Sequence, residues 1–127
     1  MVDPTVRARL AELLEAEPQV LDAYCFGSQA RGEARPGSDV DVAVFVDPAS
    51  PPPRWGHAAT ITTTLAAGLH RNDIDVAVLN HATPLLYQRV LRDGILLVSR
   101  DPVATSERAL VARSRWLDWK AFRERVA

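Results

Sequence analysis

A chain of 127 residues has room for one domain with a modest core, and its formal net charge of -1 offers no global field to a polyanion, so nucleic acid is not a favoured partner. A composition of 47% hydrophobic and 24% charged residues fits an ordinary globular protein, with no apolar run long enough to cross a bilayer and no secretory leader pattern. The single cysteine, Cys25, cannot staple the domain to itself and reads as a small buried hydrophobe, and a cytoplasmic setting is expected.

Asp3-Pro4 reads as an N-cap and first helical position, followed by Val6, Leu10, Leu13 and Leu14 at helical spacing until Pro18. Val20 to Phe26 is rich in strand formers and stops at Gly27, where a glycine permits a sharp turn and close approach of a ligand. Ala30 to Glu33 suggests a helical turn, Arg35 to Ser38 a Pro/Gly loop, and Val40 to Val46 a second strand ending at Asp47-Pro48. The prolines from Pro48 to Pro53 exclude a place inside a sheet. Trp55, Ala58, Ala59, Leu65, Ala66 and Leu69 recur at helical spacing, although the threonines at 62 to 64 lower helix propensity. Ile74 to Leu79 is a third strand, Thr83-Pro84 caps a short helix ending at Gly94, and Ile95 to Val98 is a fourth strand. From Asp101 a final helix carries Trp119, Phe122 and Val126 on one stripe, with Leu110, Leu117 and Ala121 on another. The pattern predicts an α/β (α+β) fold, a small mixed sheet flanked by helices.

The chemistry gathers at Gly27-Ser28 and Asp39-Val40-Asp41. Successive strand side chains point to opposite faces, so Asp39 and Asp41 share one face while Val40 and Val42 take the other. Paired carboxylates repel unless they are solvated or neutralised by a divalent cation, and their hard oxygens suit Mg²⁺. On the third strand Asp73 and Asp75 also share a face; Asp75, flanked by Ile74 and Val76, is the better third acid, whereas Asp73 follows Asn72 and belongs to the turn. Three acids on adjacent strands can hold two metal ions for in-line attack on phosphorus.

These residues resemble a known signature. Gly27-Ser28 with Ala30-Arg31-Gly32, then Ser38-Asp39-Val40-Asp41, is similar to that of the minimal nucleotidyltransferase (MNT) domains of the DNA polymerase β superfamily, with Asp75 matching the third acid. The close match covers residues 27 to 44, and the element order is compatible to about residue 98. The resemblance implies a polymerase β palm-like fold and a nucleotidyltransferase domain over residues 1–100. Residues 101–127 are then a C-terminal helix of the same domain or a partner-binding one. It implies transfer of a nucleoside monophosphate from a triphosphate, ATP, with release of pyrophosphate and two Mg²⁺ ions as cofactors. Asp39, Asp41 and Asp75 would be metal ligands and catalytic residues, Asp75 also orienting or deprotonating the acceptor hydroxyl. Gly27 and Ser28 would hold the triphosphate. Arg31 suits a leaving pyrophosphate and a solvated helical turn equally well, and Ser38 would act through the turn that positions Asp39.

Little of the chain remains to recognise an acceptor. Short MNT proteins of this kind resemble antitoxins that silence a HEPN-domain toxin by attaching AMP to a tyrosine, and that partner is the leading expectation. The rivals are a small-molecule transferase of the aminoglycoside type and a non-catalytic antitoxin that acts by binding alone. His57, His70 and His81 lack zinc-ligand spacing, and Tyr24 and Tyr87 fit either core or contact. The basic, aromatic tail with Arg113, Arg115, Trp116, Trp119 and Arg123 reads first as a helix docked on the domain or on a protein, and second as a nucleic-acid stacking surface.

Overall fold

The computed structural model describes residues 3–27 and 39–126. The first helix, α1 (Pro4–Glu15), starts where Asp3 Oδ1 accepts the Thr5 amide at 2.9 Å, as the sequence predicts. Strands β1 (Val20–Phe26) and β2 (Val40–Val46) follow, and then α2 (His57–Leu69) and β3 (Ile74–Val78). A 3-10 turn (Leu79–His81), α3 (Pro84–Asp93), β4 (Ile95–Ser99) and α4 (Pro102–Val126) complete the order. No helix among the described residues is long and apolar enough to cross a membrane.

The four strands form one sheet in the order β3-β2-β1-β4. β1 lies antiparallel to both β2 and β4, whereas β2 and β3 run parallel, so the sheet is mixed. Alternation then divides the strands between two cores. Val40, Val42, Val44 and Val46 pack on one face with Leu10 and Leu14 of α1 and Ile61 and Leu65 of α2. Burying each such side chain contributes about 1.5–3 kcal/mol, so this face supplies most of the cohesion. The other face carries Ala43 and Tyr24 under Tyr87 and Val90 of α3 and Ala112 of α4. Both tyrosines are therefore core residues.

Helix α2 begins later than the periodicity predicts. Trp55 stays outside it, 78% exposed, because Gly56 at φ 88° turns the chain just before His57. The threonine run is accommodated by hydroxyls that donate back to the carbonyls of Ala58, Ala59 and Thr60 at 2.7, 3.0 and 3.1 Å. Burial of Ile61 and Leu65 outweighs the lower propensity. Leu79, read as the end of the third strand, instead opens the 3-10 turn. There Asn80 stands in for a strand residue, its amide donating to Val46 O at 2.7 Å and its side-chain oxygen accepting the Val46 amide at 2.9 Å.

Two arginines fasten the layers together. Arg100 Nε donates to Val20 O at 2.7 Å, and Nη2 donates to Glu15 O at 2.8 Å, a carbonyl at the end of α1, and to Glu17 O at 2.9 Å just beyond it. Arg108 of α4 reaches Asp22 on β1, which is wholly buried, with Nε to Oδ2 at 2.7 Å and Nη2 to Oδ1 at 2.8 Å. The line of α4 that meets the domain is Thr105, Arg108 and Ala112, spaced i, i+3, i+7. Neither apolar stripe read from the sequence is buried here: Leu110, Leu117, Phe122 and Val126 all remain exposed.

Candidate active site

Asp41 lies opposite Phe26 on β1 and opposite Asp75 on β3, so the central acid is flanked by strands on both sides. Adjacent strands lie about 4.8 Å apart, which makes Asp41 and Asp75 direct neighbours on one face. Asp39 comes two residues before Asp41, at the mouth of β2, and both Asp39 and Asp75 are exposed. Like charges directly opposite each other on a sheet are destabilising. A cation between them reverses that sign.

Gly27 completes the described part of the site. Its φ of 72° lies in the left-handed region, and a Cβ there would overlap the Asp41 carboxylate. The turn after β1 therefore needs glycine for two reasons, backbone conformation and room for Asp41. Gly27→Ala is expected to cost about 1–3 kcal/mol in thermal unfolding and to displace Asp41. An unchanged melting temperature would show that the turn adapts. Ser28, Arg31 and Ser38, together with the helical turn expected at Ala30 to Glu33, lie outside the described residues.

The neighbouring ionisable groups have other occupations. Asp73 is held by Arg71 through two hydrogen bonds, at 2.6 and 2.5 Å, and this guanidinium keeps its carboxyl below the usual carboxylate range. Cys25, one strand away, has its thiol pushed up to about 11, first by burial and then by the Asp41 charge, so it stays a protonated core residue at neutral pH. A groove of about 520 Å³ runs between Phe45, Leu79, Tyr87, Val111 and Arg115, toward the other end of β2. Gly27, Asp39, Asp41 and Asp75 do not line it. The carboxylate chemistry is elsewhere.

Among the described residues no three His, Cys, Asp or Glu side chains close around a single point. Carboxylate oxygens are hard donors of the kind Mg²⁺ takes, one or two at a time, together with waters and substrate phosphates. The hard-oxygen donors at Asp39, Asp41 and Asp75 fit such an ion.

The sequence matches the family described as Polymerase beta, Nucleotidyltransferase over residues 8–103, the stretch that holds all four strands and these acids. The chain belongs to that family. The mixed sheet with helices on both faces is thus a nucleotidyltransferase fold. Solved structures agree with the assignment. One is a crystal structure of a toxin-antitoxin with AMP-PNP, 25% identical with a TM-score of 0.78, the match covering 94% of each chain. Another is a tri-AMPylated Shewanella oneidensis HEPN toxin in complex with MNT antitoxin, 23% identical with a TM-score of 0.73, covering 96% of this chain and 92% of that one. A third, the toxin-antitoxin MntA-HepT, is 22% identical with a TM-score of 0.73 over 98% of this chain and 95% of the other. No curated protein matches the chain. In this nucleotidyltransferase the β2–β3 register brings Asp41 and Asp75 together, Asp39 stands beside them, and Gly27 packs on Asp41. Sequence reading missed Arg71, whose only signal was a cation two residues before Asp73.

Proposed function

We propose that this protein is an antitoxin that transfers AMP from ATP to a tyrosine hydroxyl of a HEPN-domain toxin, with Mg²⁺ as cofactor, in the cytoplasm. The observation that carries the reading is the Asp41–Asp75 register beside Gly27, in a chain whose structural relatives include a toxin-antitoxin with AMP-PNP and an AMPylated HEPN toxin held by its antitoxin.

In the proposed step the tyrosine oxygen attacks the α-phosphorus of ATP. An oxygen–phosphorus bond forms, the bond to the β-phosphate oxygen breaks, and pyrophosphate leaves. Asp75 orients the hydroxyl and accepts its proton, because it is the exposed acid on the outer of the two strands. Asp39 and Asp41, with Asp75, would hold the cation, which when bound would supply charge neutralisation at phosphorus and a more acidic attacking hydroxyl. Gly27 and Ser28 would bind the triphosphate, Ser38 would serve to position Asp39, and Arg31 would neutralise the departing pyrophosphate. Residues 1–100 form the catalytic unit. The exposed apolar side chains of α4, among them Leu117 and Phe122, supply a surface for the toxin.

Intact-mass measurement of the HEPN partner, after incubation with this protein, ATP and Mg²⁺, is expected to show steps of one or more AMP groups. A partner neutralised with its mass unchanged would establish antitoxin action by binding alone, and turnover of a free aminoglycoside would establish the small-molecule transferase. Either result displaces the proposal.

A further inference from the structure

The groove and the carboxylates share one face of the sheet. Ile74, Val76 and Val78 pack into the first core, so alternation turns Asp75 and Ala77 to the opposite face, where Ala43 and Leu79 belong to the second core and Phe45 packs against it. Rows follow one another along β2 and β3: Asp41 with Asp75, then Ala43 with Ala77, and just past the last pair Phe45 and Leu79. Phe45 and Leu79 both line the groove of about 520 Å³. Four residues at about 3.3 Å each put Leu79 about 13 Å beyond Asp75. The row between is made of alanines. Ala43 is fully buried, but Ala77 on the outer strand is only half-buried, so β3 leaves a lane between the proposed acceptor site and the groove.

The polar groups of the groove await an occupant. Tyr87, in its wall, is only 9% exposed, and its hydroxyl is buried without a hydrogen-bond partner. Burial pushes that hydroxyl up to about 12, so at neutral pH it is an O–H donor lacking an acceptor. An unpaired buried donor is destabilising, and an acceptor brought by an occupant removes the penalty. Arg115 stands exposed at the rim with no carboxylate paired to it among the described residues, and Glu107 lines the groove about two turns back along α4. An occupant suited to these walls is apolar in the middle, offers a hydrogen-bond acceptor, and carries an acid toward Arg115 rather than toward Glu107.

We infer that the groove is a docking subsite for the acceptor, holding the part of the HEPN partner's chain that lies about four residues from the modified tyrosine, with a large apolar side chain in the groove and an acidic one at Arg115. The inference rests on the nucleotidyl-transfer reading, which puts the tyrosine at Asp75. An extended segment covers the distance from Asp75 to Leu79 in that number of residues, along the lane over Ala77. Contacts so far from phosphorus bind ground state and transition state alike, so they act on the partner's KM.

Steady-state AMP transfer to the whole HEPN partner, with partner and ATP each varied, tests this. Arg115→Glu reverses the charge at an exposed rim position, and Ala104→Trp fills the groove from α4. Each is expected to raise the partner's KM about tenfold, with kcat and the KM for ATP at parental values, the effect of one lost anchor. Tyr87→Phe is expected to raise the partner's KM too while melting at or above the parental temperature, because it deletes an unpaired buried donor. A parental KM for the partner in any of the three overturns the inference. So does a raised KM for ATP, which would seat the nucleotide's base in the groove. If Ala104→Trp does not fold, Arg115→Glu and Tyr87→Phe decide the matter. A parent that adds no AMP to its partner overturns the transfer reading instead.

Discussion

Asp41→Asn lowers AMP transfer by roughly a thousandfold, the scale of several kcal/mol of lost charge stabilisation at a metal-assisted phosphorus centre. The side chain is a near-isostere, so the change is one of charge. Asp41 is the acid flanked by strands on both sides, opposite Asp75 and in contact with Gly27, so it holds the central place between the other two acids. Folding behaves differently from activity. Relief of the repulsion from Asp75 on the facing strand offsets what the Asp41 charge loses elsewhere, so stability is expected to change by less than about 1 kcal/mol. The variant should therefore still capture the HEPN partner while failing to add mass to it. Pull-down and intact mass on the same sample separate the two. Full transfer by Asp41→Asn would remove Asp41 from the cation site.

Arg108→Ala has the largest expected effect on stability, about 3–5 kcal/mol, because it leaves the wholly buried Asp22 carboxylate without its cation. Asp22 also accepts from Thr105 Oγ1 at 2.6 Å, and Thr105 in turn meets Ser99 Oγ at 2.6 Å, so one carboxylate joins β1, β4 and the first turns of α4. Arg108 additionally covers the Phe45 ring at 4.8 Å. A loss of this size is a large part of the roughly 5–15 kcal/mol that holds an ordinary domain together. Urea unfolding measures it. The pair Asp22→Asn with Arg108→Met should lose less than Arg108→Ala alone, since no buried charge is then left over. A cost below about 1 kcal/mol for Arg108→Ala would mean that water reaches Asp22 readily.

Strands β1 and β2 were legible because each is bounded by a residue with one physical meaning. Gly27 ends β1 by its positive φ, and Pro48 lies just beyond the end of β2. α3 was legible from the Thr83-Pro84 cap, where Thr83 Oγ1 accepts the Leu86 amide at 3.2 Å. The choice of Asp75 over Asp73 followed from strand flanks alone, and the pairing of Asp73 with Arg71 supplies the electrostatic counterpart. What escaped was long-range. Asp22 sits in the run Val-Leu-Asp-Ala-Tyr, and an acid inside an apolar strand signals a distant cation, but nothing local says that the cation is 86 positions away. The packed line of α4 was hidden for the same reason, since it is built on Thr105, Arg108 and Ala112 rather than on the large apolar residues that periodicity favours. Trp55 shows the converse, a large aromatic at correct spacing that a single glycine turns out to solvent.

The grip of Arg100 on the carbonyls of Glu15, Glu17 and Val20 has a consequence for the order of assembly. β1 is an inner strand, and one of its two neighbours is β4, the last to be made. During synthesis the opening helix and strand therefore wait, without their clasp and with one sheet edge unpaired, until about a hundred residues have emerged. A chain halted before that point exposes a β-edge with no native mate. The clasp and the last strand of the sheet thus emerge together, ahead of the helix that packs across them.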